Sequence, residues 1–173
     1  MTKVFIGGSR KITRLSKDVK DRIDNIIQKE YTVLIGDASG ADKSVQQYLF
    51  DKGYRNVRVF CMGDECRNNI GHWETKHIMG TGAQKGFSYY STKDLQMAKE
   101  TDYGFMIWDG KSKGTLNNIL NLLKENKKIL VYFSQNKEFY KLIIFNDLEK
   151  LLAKCDKKSL EIFEVRGSTM NFV

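Results

Sequence analysis

The stretch YGFMIWDGKSKGTLNNILNLLKEN, residues 103–126, joins an apolar run to an amphipathic pattern through a turn that contains two glycines. Residues 103–108 are apolar and rich in aromatic side chains, which predicts a buried strand. From residue 115 to residue 126 the apolar side chains recur at helical spacing, which predicts an amphipathic helix. The residues expected to face the core are Leu116, Ile119, Leu120 and Leu123. A strand followed at once by a helix is the repeating unit of α/β folds.

The same alternation continues on both sides of this stretch. Further strands are predicted at residues 3–6, 32–35, 56–60 and 128–133, and further helices at residues 16–29, 40–52 and 92–100. Ser16 is expected to cap the first helix. Alternating strands and helices predict an α/β protein, a Rossmann-like three-layer α/β/α fold with a mainly parallel sheet. The expected order of its strands is 3-2-1-4-5.

The chain is long enough for one hydrophobic core, so a single domain is expected. Residues 1–133 form the predicted Rossmann-like nucleotide-binding core. Residues 134–173 form a C-terminal extension packed on the same domain, with strands at 139–145 and 160–165 and a helix at 147–155. Residues 61–91 show no clean period, which predicts a long loop and is also compatible with some short helix within it. A loop of that length inside a compact domain is usually functional.

The 173 residues carry a formal net charge of +8, which favours anionic partners without separating nucleotides from nucleic acid. No apolar run is long enough to span a membrane, and the first residues lack the layout of a signal peptide. The three cysteines are an odd number, which argues against a disulfide framework and fits a reducing compartment. We therefore expect a soluble cytoplasmic protein with no membrane partner.

Three strand-to-helix turns have an unusual composition: GGSRK after the first strand, GDASGAD after the second and DGKSKGT after the fourth. All three follow carboxyl ends of strands, and in the expected order they converge on one cleft at the switch point of the sheet. Glycines let a backbone approach a ligand, and helix N-termini attract anions. The predicted ligand-binding residues are Gly7, Gly8, Ser9, Arg10, Asp37, Gly40, Asp42, Asp109, Gly110, Ser112, Gly114 and Thr115.

The individual turns also have plain structural readings. Ser112 or Thr115 fits an N-cap, Asp42 three residues after Ser39 fits a capping box, and Asp109 fits a side chain that holds its own turn. None of the turns is the dinucleotide G-x-G-x-x-G or the Walker G-x-x-x-x-G-K-[ST]. Neither NAD binding nor ATP hydrolysis is therefore indicated, and no cofactor is expected.

The order GGSR, GDASGAD, KDLQMA and WDGKSKGT resembles the SLOG superfamily of Rossmann-like proteins, which includes the DprA and LOG (lysine-decarboxylase-like) proteins. The resemblance covers residues 3–133 and is closest to a small branch of bacterial and phage proteins. It implies a nucleotide or nucleotide-derived ligand whose phosphate or ribose is held by Gly8, Ser9, Gly114 and Thr115. Families of this type often self-associate, so the resemblance is also compatible with a homo-oligomer.

The LOG enzymes cleave the N-glycosidic bond of nucleoside monophosphates with an R-K-x-x-M and a G-G-x-G-T-x-x-E segment. In this chain Lys93 stands at the arginine position of the first segment, followed by Asp94, and Asn118 stands at the glutamate position of the second. An amide cannot replace a carboxylate as nucleophile or base, so LOG-type hydrolysis is not implied. Lys93 and Asp94 remain the candidate catalytic pair, with Asp37, Asp42 or Asp109 as other sources of a carboxylate.

The long loop carries two further sets of candidate residues. Cys61, Cys66, His72 and His77 are zinc-type ligands, but five residues between Cys66 and His72 are too few for a zinc finger, and no metal is expected. Arg67, Asn68, Asn69 and Trp73 are placed to form a lid, with Trp73 or Phe87 either stacking on a base or holding the loop to the core.

The leading hypothesis is a sensor or binding protein for a nucleotide-derived small molecule. The alternatives are an N-glycoside hydrolase or deoxyribosyltransferase-like enzyme acting on nucleotides, and a nucleic-acid-binding accessory protein. No helix-turn-helix, RNP-like strand or dense Lys/Arg stripe is visible, so nucleic acid is the less favoured partner.

Overall fold

The computed structural model describes residues 1–83 and 86–170 and contains one seven-stranded sheet between two layers of helices. In chain order the elements are β1 (Lys3–Gly8), α1 (Lys17–Gln28), β2 (Thr32–Ile35), α2 (Ala41–Asp51), β3 (Val57–Met62), β4 (Glu74–Ile78), α3 (Gly86–Glu100), β5 (Tyr103–Trp108), α4 (Lys113–Lys124), β6 (Lys128–Phe133), β7 (Glu138–Leu142), α5 (Phe145–Leu152) and α6 (Lys157–Met170). The predicted α/β class and Rossmann-like layering are confirmed.

The strands lie in the order β4-β3-β2-β1-β5-β6-β7. The five strands predicted within residues 1–133 occupy its middle in the expected 3-2-1-4-5 arrangement, all parallel. The strand predicted at residues 139–145 is also present, as β7. Two strands extend the parallel group: β4 pairs parallel to β3, and β7 pairs antiparallel to β6. β1 and β5 are neighbours, although α1 to α3 separate them in the chain. The switch point therefore lies between these two strands.

Each face of the sheet packs against its own set of helices. On one face α1 and α2 bury Val19, Ile23, Val45 and Leu49 against the sheet. On the other, α3 and α4 bury Met97 and a row of apolar side chains, and α5 and α6 extend this core. The row on α4 includes Leu116, Ile119, Leu120 and Leu123, as the spacing predicts. Ser16 caps α1 by accepting the Val19 N–H, also as predicted.

Two predicted elements differ from the structure. Residues 160–165, expected as a final strand, belong to α6, where Asp156 accepts the Ser159 N–H at 2.7 Å before the first turn and Phe163 packs on Trp108 with ring centroids 6.2 Å apart. Residues 61–91, expected as a long loop compatible with some short helix, contain the first turns of α3 and also the strand β4, which the sequence did not predict. In the described residues no helix is both long and apolar enough to cross a membrane.

Candidate functional site

A cleft of about 480 Å³ opens at the carboxyl ends of β1, β2 and β5, where the three glycine-containing turns meet. The first turn contributes Gly8 and Arg10, and the second contributes Gly36, Ala38 and Asp42. The third contributes the stretch from Asp109 to Thr115, and α3 closes the opposite wall. The convergence expected from the sequence is therefore confirmed.

Ser9 and Asp109 join the first turn to the third beneath the cleft. The fully buried Ser9 hydroxyl donates to Asp109 Oδ1 at 3.1 Å and accepts the Asp109 N–H at 3.1 Å. The same Oδ1 accepts the N–H groups of Lys111 and Ser112 at 2.9 and 2.8 Å. The Ser9 carbonyl accepts the Ala41 N–H, so the first turn is also hydrogen-bonded to the start of α2. These side chains fix the shape of the site.

The N-terminus of α4 borders the cleft beside a basic rim. Ser112 caps this helix and accepts hydrogen bonds from the Thr115 N–H and hydroxyl at 3.4 and 3.1 Å. Three exposed cations, Arg10, Lys11 and Lys111, line the mouth of the cleft and form no ion pair within the described chain. Helix N-termini and unpaired cations both attract anions.

Gly8 allows β1, β5 and α2 to approach one another at the edge of the cleft. A Cβ at this position would overlap the Ile107 carbonyl oxygen and come within 2.8 Å of the Ala41 Cβ. Both neighbours belong to packed elements that cannot easily shift. The glycine is therefore required by close packing.

The floor of the cleft holds a buried lysine between two aspartates. Lys93, only 3% exposed, places its Nζ 2.7 Å from Asp94 Oδ1. Asp42, at the start of α2, accepts the Ala38 N–H at 3.2 Å, so the predicted capping box with Ser39 is wrong: Gly40 occupies the N-cap. A Cβ on Gly36 would lie 2.6 Å from Asp42 Oδ2 and 3.0 Å from Lys93 Nζ, so the glycine makes room for this pair.

Burial and the neighbouring charges together set the protonation of Asp42 and Lys93. Burial raises the pKa of Asp42 to about 7, although the nearby Lys93 ammonium favours the carboxylate. Burial alone would lower the pKa of Lys93, but the charges of Asp94 and Asp42 hold it above its usual value. At neutral pH the lysine is therefore charged while Asp42 is close to its midpoint. An acid that keeps its proton near neutrality is suited to proton transfer.

Arg67 reaches the cleft from the segment that follows β3. Its guanidinium donates twice to Asp37 Oδ1, at 3.2 and 2.6 Å, and its backbone N–H donates to Asp37 Oδ2 at 2.9 Å. Burial alone would raise the pKa of Asp37, but these bonds hold it below its ordinary value. The guanidinium also stacks on Tyr90, 4.0 Å from the ring centroid. Asp37 therefore positions Arg67 rather than facing the cleft itself.

Asn118 lines the cleft from the second turn of α4 and is 8% exposed. Its Oδ1 is buried and has no hydrogen-bond partner among the described residues. A buried acceptor without a donor costs about 1–3 kcal/mol, and such groups are retained where a ligand or water supplies the donor. Asn118 therefore marks a polar contact point in the site.

The predicted site residues divide into two groups. Those that line the cleft are Gly8, Arg10, Asp42, Lys93, Asp94, Asp109, Ser112, Gly114 and Thr115. Within the described chain, Gly7, Ser9, Asp37, Gly40 and Gly110 do not line it but lie behind or beside it. Gly7 lies next to Asn118, and Gly40 packs on the Arg10 backbone and borders a separate surface groove.

Several lining residues were absent from the predicted set. Tyr90 and Ser91 belong to the first part of α3, which has no clear period in the sequence, whereas Gly36 and Lys11 lie inside two of the predicted turns but were not among the residues predicted to bind a ligand. Phe87 lines the cleft and is 47% exposed, in agreement with its predicted position over the site. Trp73 instead donates its indole N–H to the Tyr54 carbonyl at 2.9 Å and packs on the α1–α2 core, which is the loop-anchoring alternative.

Cys61 and Cys66 form a disulfide, contrary to the expectation from the odd cysteine count. The β3 strand and the turn after it bring their Cα atoms to 5.1 Å, a separation that ordinary disulfides adopt. Cys155 is a buried free thiol, and burial raises its pKa to about 11.

The chain matches none of the protein-family models, and none of the curated proteins shows significant similarity to it.

Proposed function

We propose that this protein binds a nucleotide or nucleotide-derived molecule in the cleft, as a sensor or binding protein. The observation that carries the proposal is the polarity of the cleft: a basic rim beside a helix N-terminus, and a polar floor in which Asp42 and Lys93 are buried. A phosphate suits Arg10, Lys11, Lys111 and the start of α4. Ligand hydroxyls suit the acceptors of the floor, which include Asp94 and Asn118.

The aromatic wall supports the same class of ligand. Tyr90 and Phe87 line the cleft from α3, and the face of an aromatic side chain is a common platform for a base. Most small-molecule sites combine apolar walls with a few placed polar groups. The proposal also agrees with the resemblance to the SLOG superfamily, which stays a hypothesis.

The test is a thermal-shift screen against nucleoside phosphates, ADP-ribose forms and cyclic nucleotides. A ligand at a hundred times its Kd stabilises the folded protein by about 2.7 kcal/mol, which raises Tm by several degrees. We expect at least one member of the panel to do so, and we expect Thr115→Arg and the double variant Arg10→Ala/Lys111→Ala to lose the shift.

Lys124→Ala is the matched control, because Lys124 lies at the opposite end of α4. A panel without any shift, or a shift that survives in both cleft variants, contradicts the proposal. A shift that is lost equally in Lys124→Ala indicates general attraction to the basic surface and contradicts it as well.

A second candidate function is an N-glycoside hydrolase or transferase acting on nucleotides. The specific observation in its favour is the floor, where Asp42 with a pKa of about 7 lies near the Lys93–Asp94 pair. A protonated acid assists the departure of a base, while a second carboxylate stabilises the sugar centre. Release of free base, followed by chromatography and abolished in Asp94→Asn, would favour this enzyme over a binding protein.

A further inference from the structure

A second group of reactive side chains lies outside the cleft, at the β3–β4 edge of the sheet. Cys61 is a buried residue near the end of β3, and His77 is its direct partner in the parallel register of β4. Cys66 returns to this point after the intervening turn. One ligand atom from each residue, the two sulfurs and a ring nitrogen, lie within 4.8 Å of one another.

We propose that the dithiol form of this cluster is a binding site for a thiophilic divalent cation such as Zn²⁺. Two thiolates and an imidazole are preferred zinc ligands, with metal–ligand bonds of about 2.0–2.3 Å. Tetrahedral binding then needs ligand atoms about 3.5–3.8 Å apart, by the geometry of those bonds. The three ligand atoms already lie within 4.8 Å of one another, so rotation of the cysteine side chains after the sulfur–sulfur bond is broken is enough to reach this range.

The His77 ring is already held in place for such a role. Its Nδ1 lies 2.8 Å from the Gly63 carbonyl oxygen, in the turn between the two cysteines, and its Nε2 lies 3.1 Å from the Thr75 hydroxyl. Both ring nitrogens therefore have a hydrogen-bond partner, and a bound cation would replace one of these partners while the other keeps the ring in its orientation. Metal-binding histidines are commonly oriented by an outer hydrogen bond of this kind.

Access to the cluster is graded from the core to the surface. Cys61 is fully buried, Cys66 is half-buried and His77 is exposed, so an ion can enter from the solvent side. The described chain supplies three ligands here, which leaves a fourth position for water. Three protein ligands with an open position are typical of exchangeable or catalytic zinc rather than closed structural zinc.

Metal binding requires reduction of the Cys61–Cys66 disulfide by a dithiol. The reductant gives two electrons and two protons to the cystine and becomes a disulfide itself, which leaves two free thiols in the protein. Binding of the cation then forms two metal–sulfur bonds and releases the two thiol protons to solvent. The affinity should therefore rise with pH, and the oxidised protein should not bind.

The pairing of β3 with β4 makes His77, rather than His72, the third ligand of the proposed site. The sequence spacing of a zinc finger concerns a hairpin that meets a helix. Here the ligands meet because β4 runs parallel beside β3 and brings residue 77 next to residue 61. This is a relation of the sheet that the spacing between Cys66 and His72 does not reveal.

Anaerobic titration of the reduced full chain with Co²⁺ tests the proposal, because thiolate coordination gives a charge-transfer absorption. We expect one Co²⁺ per chain, displaced by Zn²⁺. The signal should be lost in Cys66→Ser, and the affinity should fall at least about tenfold in His77→Ala. His72→Asn and Cys155→Ser are the matched controls and should bind normally, with circular dichroism to verify that each variant is folded.

Three outcomes overturn the site. The first is reduced, thiol-titrated protein that gives no thiolate–cobalt signal. The second is a signal that His77→Ala leaves unchanged or that His72→Asn abolishes equally. The third is a disulfide that a dithiol cannot reduce while the protein stays folded.

Discussion

Ser9 and Asp109, one hundred positions apart, are joined by two hydrogen bonds of opposite sense, both 3.1 Å long. The serine hydroxyl is donor in one and acceptor in the other, so a single buried atom fixes the distance between the turns after β1 and β5. The width of the cleft at the switch point depends on this pair.

Removing the hydroxyl tests its contribution. Ser9→Ala leaves the Asp109 N–H without this acceptor and should lower the free energy of unfolding by about 1–3 kcal/mol. Urea denaturation measures the change. Ser44→Ala is the control, since its hydroxyl donates to the Thr13 carbonyl at 2.9 Å in an exposed setting and should cost less than about 1 kcal/mol. Equal losses in the two variants would refute the structural role of Ser9.

Adding a methyl group to Gly8 should force β1 away from β5. The new Cβ meets the Ile107 carbonyl and the Ala41 side chain, and overpacking of this kind costs about 1–3 kcal/mol or more. Thermal unfolding should show a lower Tm. In Gly114→Ala the new Cβ would lie 4.0 Å from Ser112 Oγ, an ordinary contact, so that variant should be neutral or up to about 1 kcal/mol more stable.

The protonation of Asp42 predicts a pH-dependent difference between the wild type and Asp42→Asn. Because folding raises the pKa of Asp42 from 3.8 to about 7, the folded state binds this proton more tightly than the unfolded state. The contribution of Asp42 is therefore fully present below pH 3.8 and is lost as the pH rises to about 7.

The free energy of unfolding contributed by Asp42 can fall by at most about 1.4 kcal/mol per pH unit. Asparagine does not titrate, so the stability of Asp42→Asn relative to wild type should increase across this interval and then level off. Denaturation at a series of pH values measures it. Asp51→Asn, which lies at the exposed end of α2, should give no such rise. A flat difference for Asp42→Asn would contradict the raised pKa.

The Arg67–Asp37 pair should show a measurable coupling in a double-mutant cycle. Arg67→Met strands a carboxylate whose side chain is 2% exposed, whereas Asp37→Asn removes that charge, so the two losses should not add. We expect a coupling of about 1–3 kcal/mol at pH 7. Because the folded pKa of Asp37 is lowered, the coupling should disappear as the pH falls through that value.

The exposed Lys17–Asp21 pair on α1 is the control cycle. Its atoms are 2.6 Å apart, but both side chains are mainly in solvent, so its coupling should be clearly smaller than that of Arg67 and Asp37. A value for Arg67 and Asp37 as small as that of the control pair would show that the cleft-side pair contributes little to stability.

The sequence is sufficient to predict the parallel core, because the strands of that core are buried on both faces and its helices are amphipathic. It is insufficient for β4, whose ETKHI sequence is polar and half-exposed; that strand is specified by backbone pairing with β3. The stretch from Leu160 to Phe163 is short enough to fit either period, and packing of Phe163 on Trp108 decides for a helix.

For the site, the rule that ligands bind at the switch point of a parallel sheet is sufficient to predict that the three turns meet, since this depends only on strand order. It does not distinguish residues that face the cleft from those behind it, as Ser9 and Asp37 show. The position of Arg67 depends on how the segment after β3 folds back onto Asp37, a long-range relation with no local signal. Lys93 was predicted as a site residue through the family resemblance. Its burial beside carboxylates depends on tertiary packing, which the local sequence does not indicate.

The polar character of β4 has a consequence for assembly. This strand forms one edge of the sheet, and its Glu74 and Lys76 engage Arg58 and Glu100 in ion pairs beside the unpaired backbone. Charged side chains on an outer strand disfavour the addition of a strand from another molecule. If copies of this protein associate, the charged side chains of β4 therefore disfavour an arrangement in which β4 pairs with a strand of another copy to form a continuous sheet.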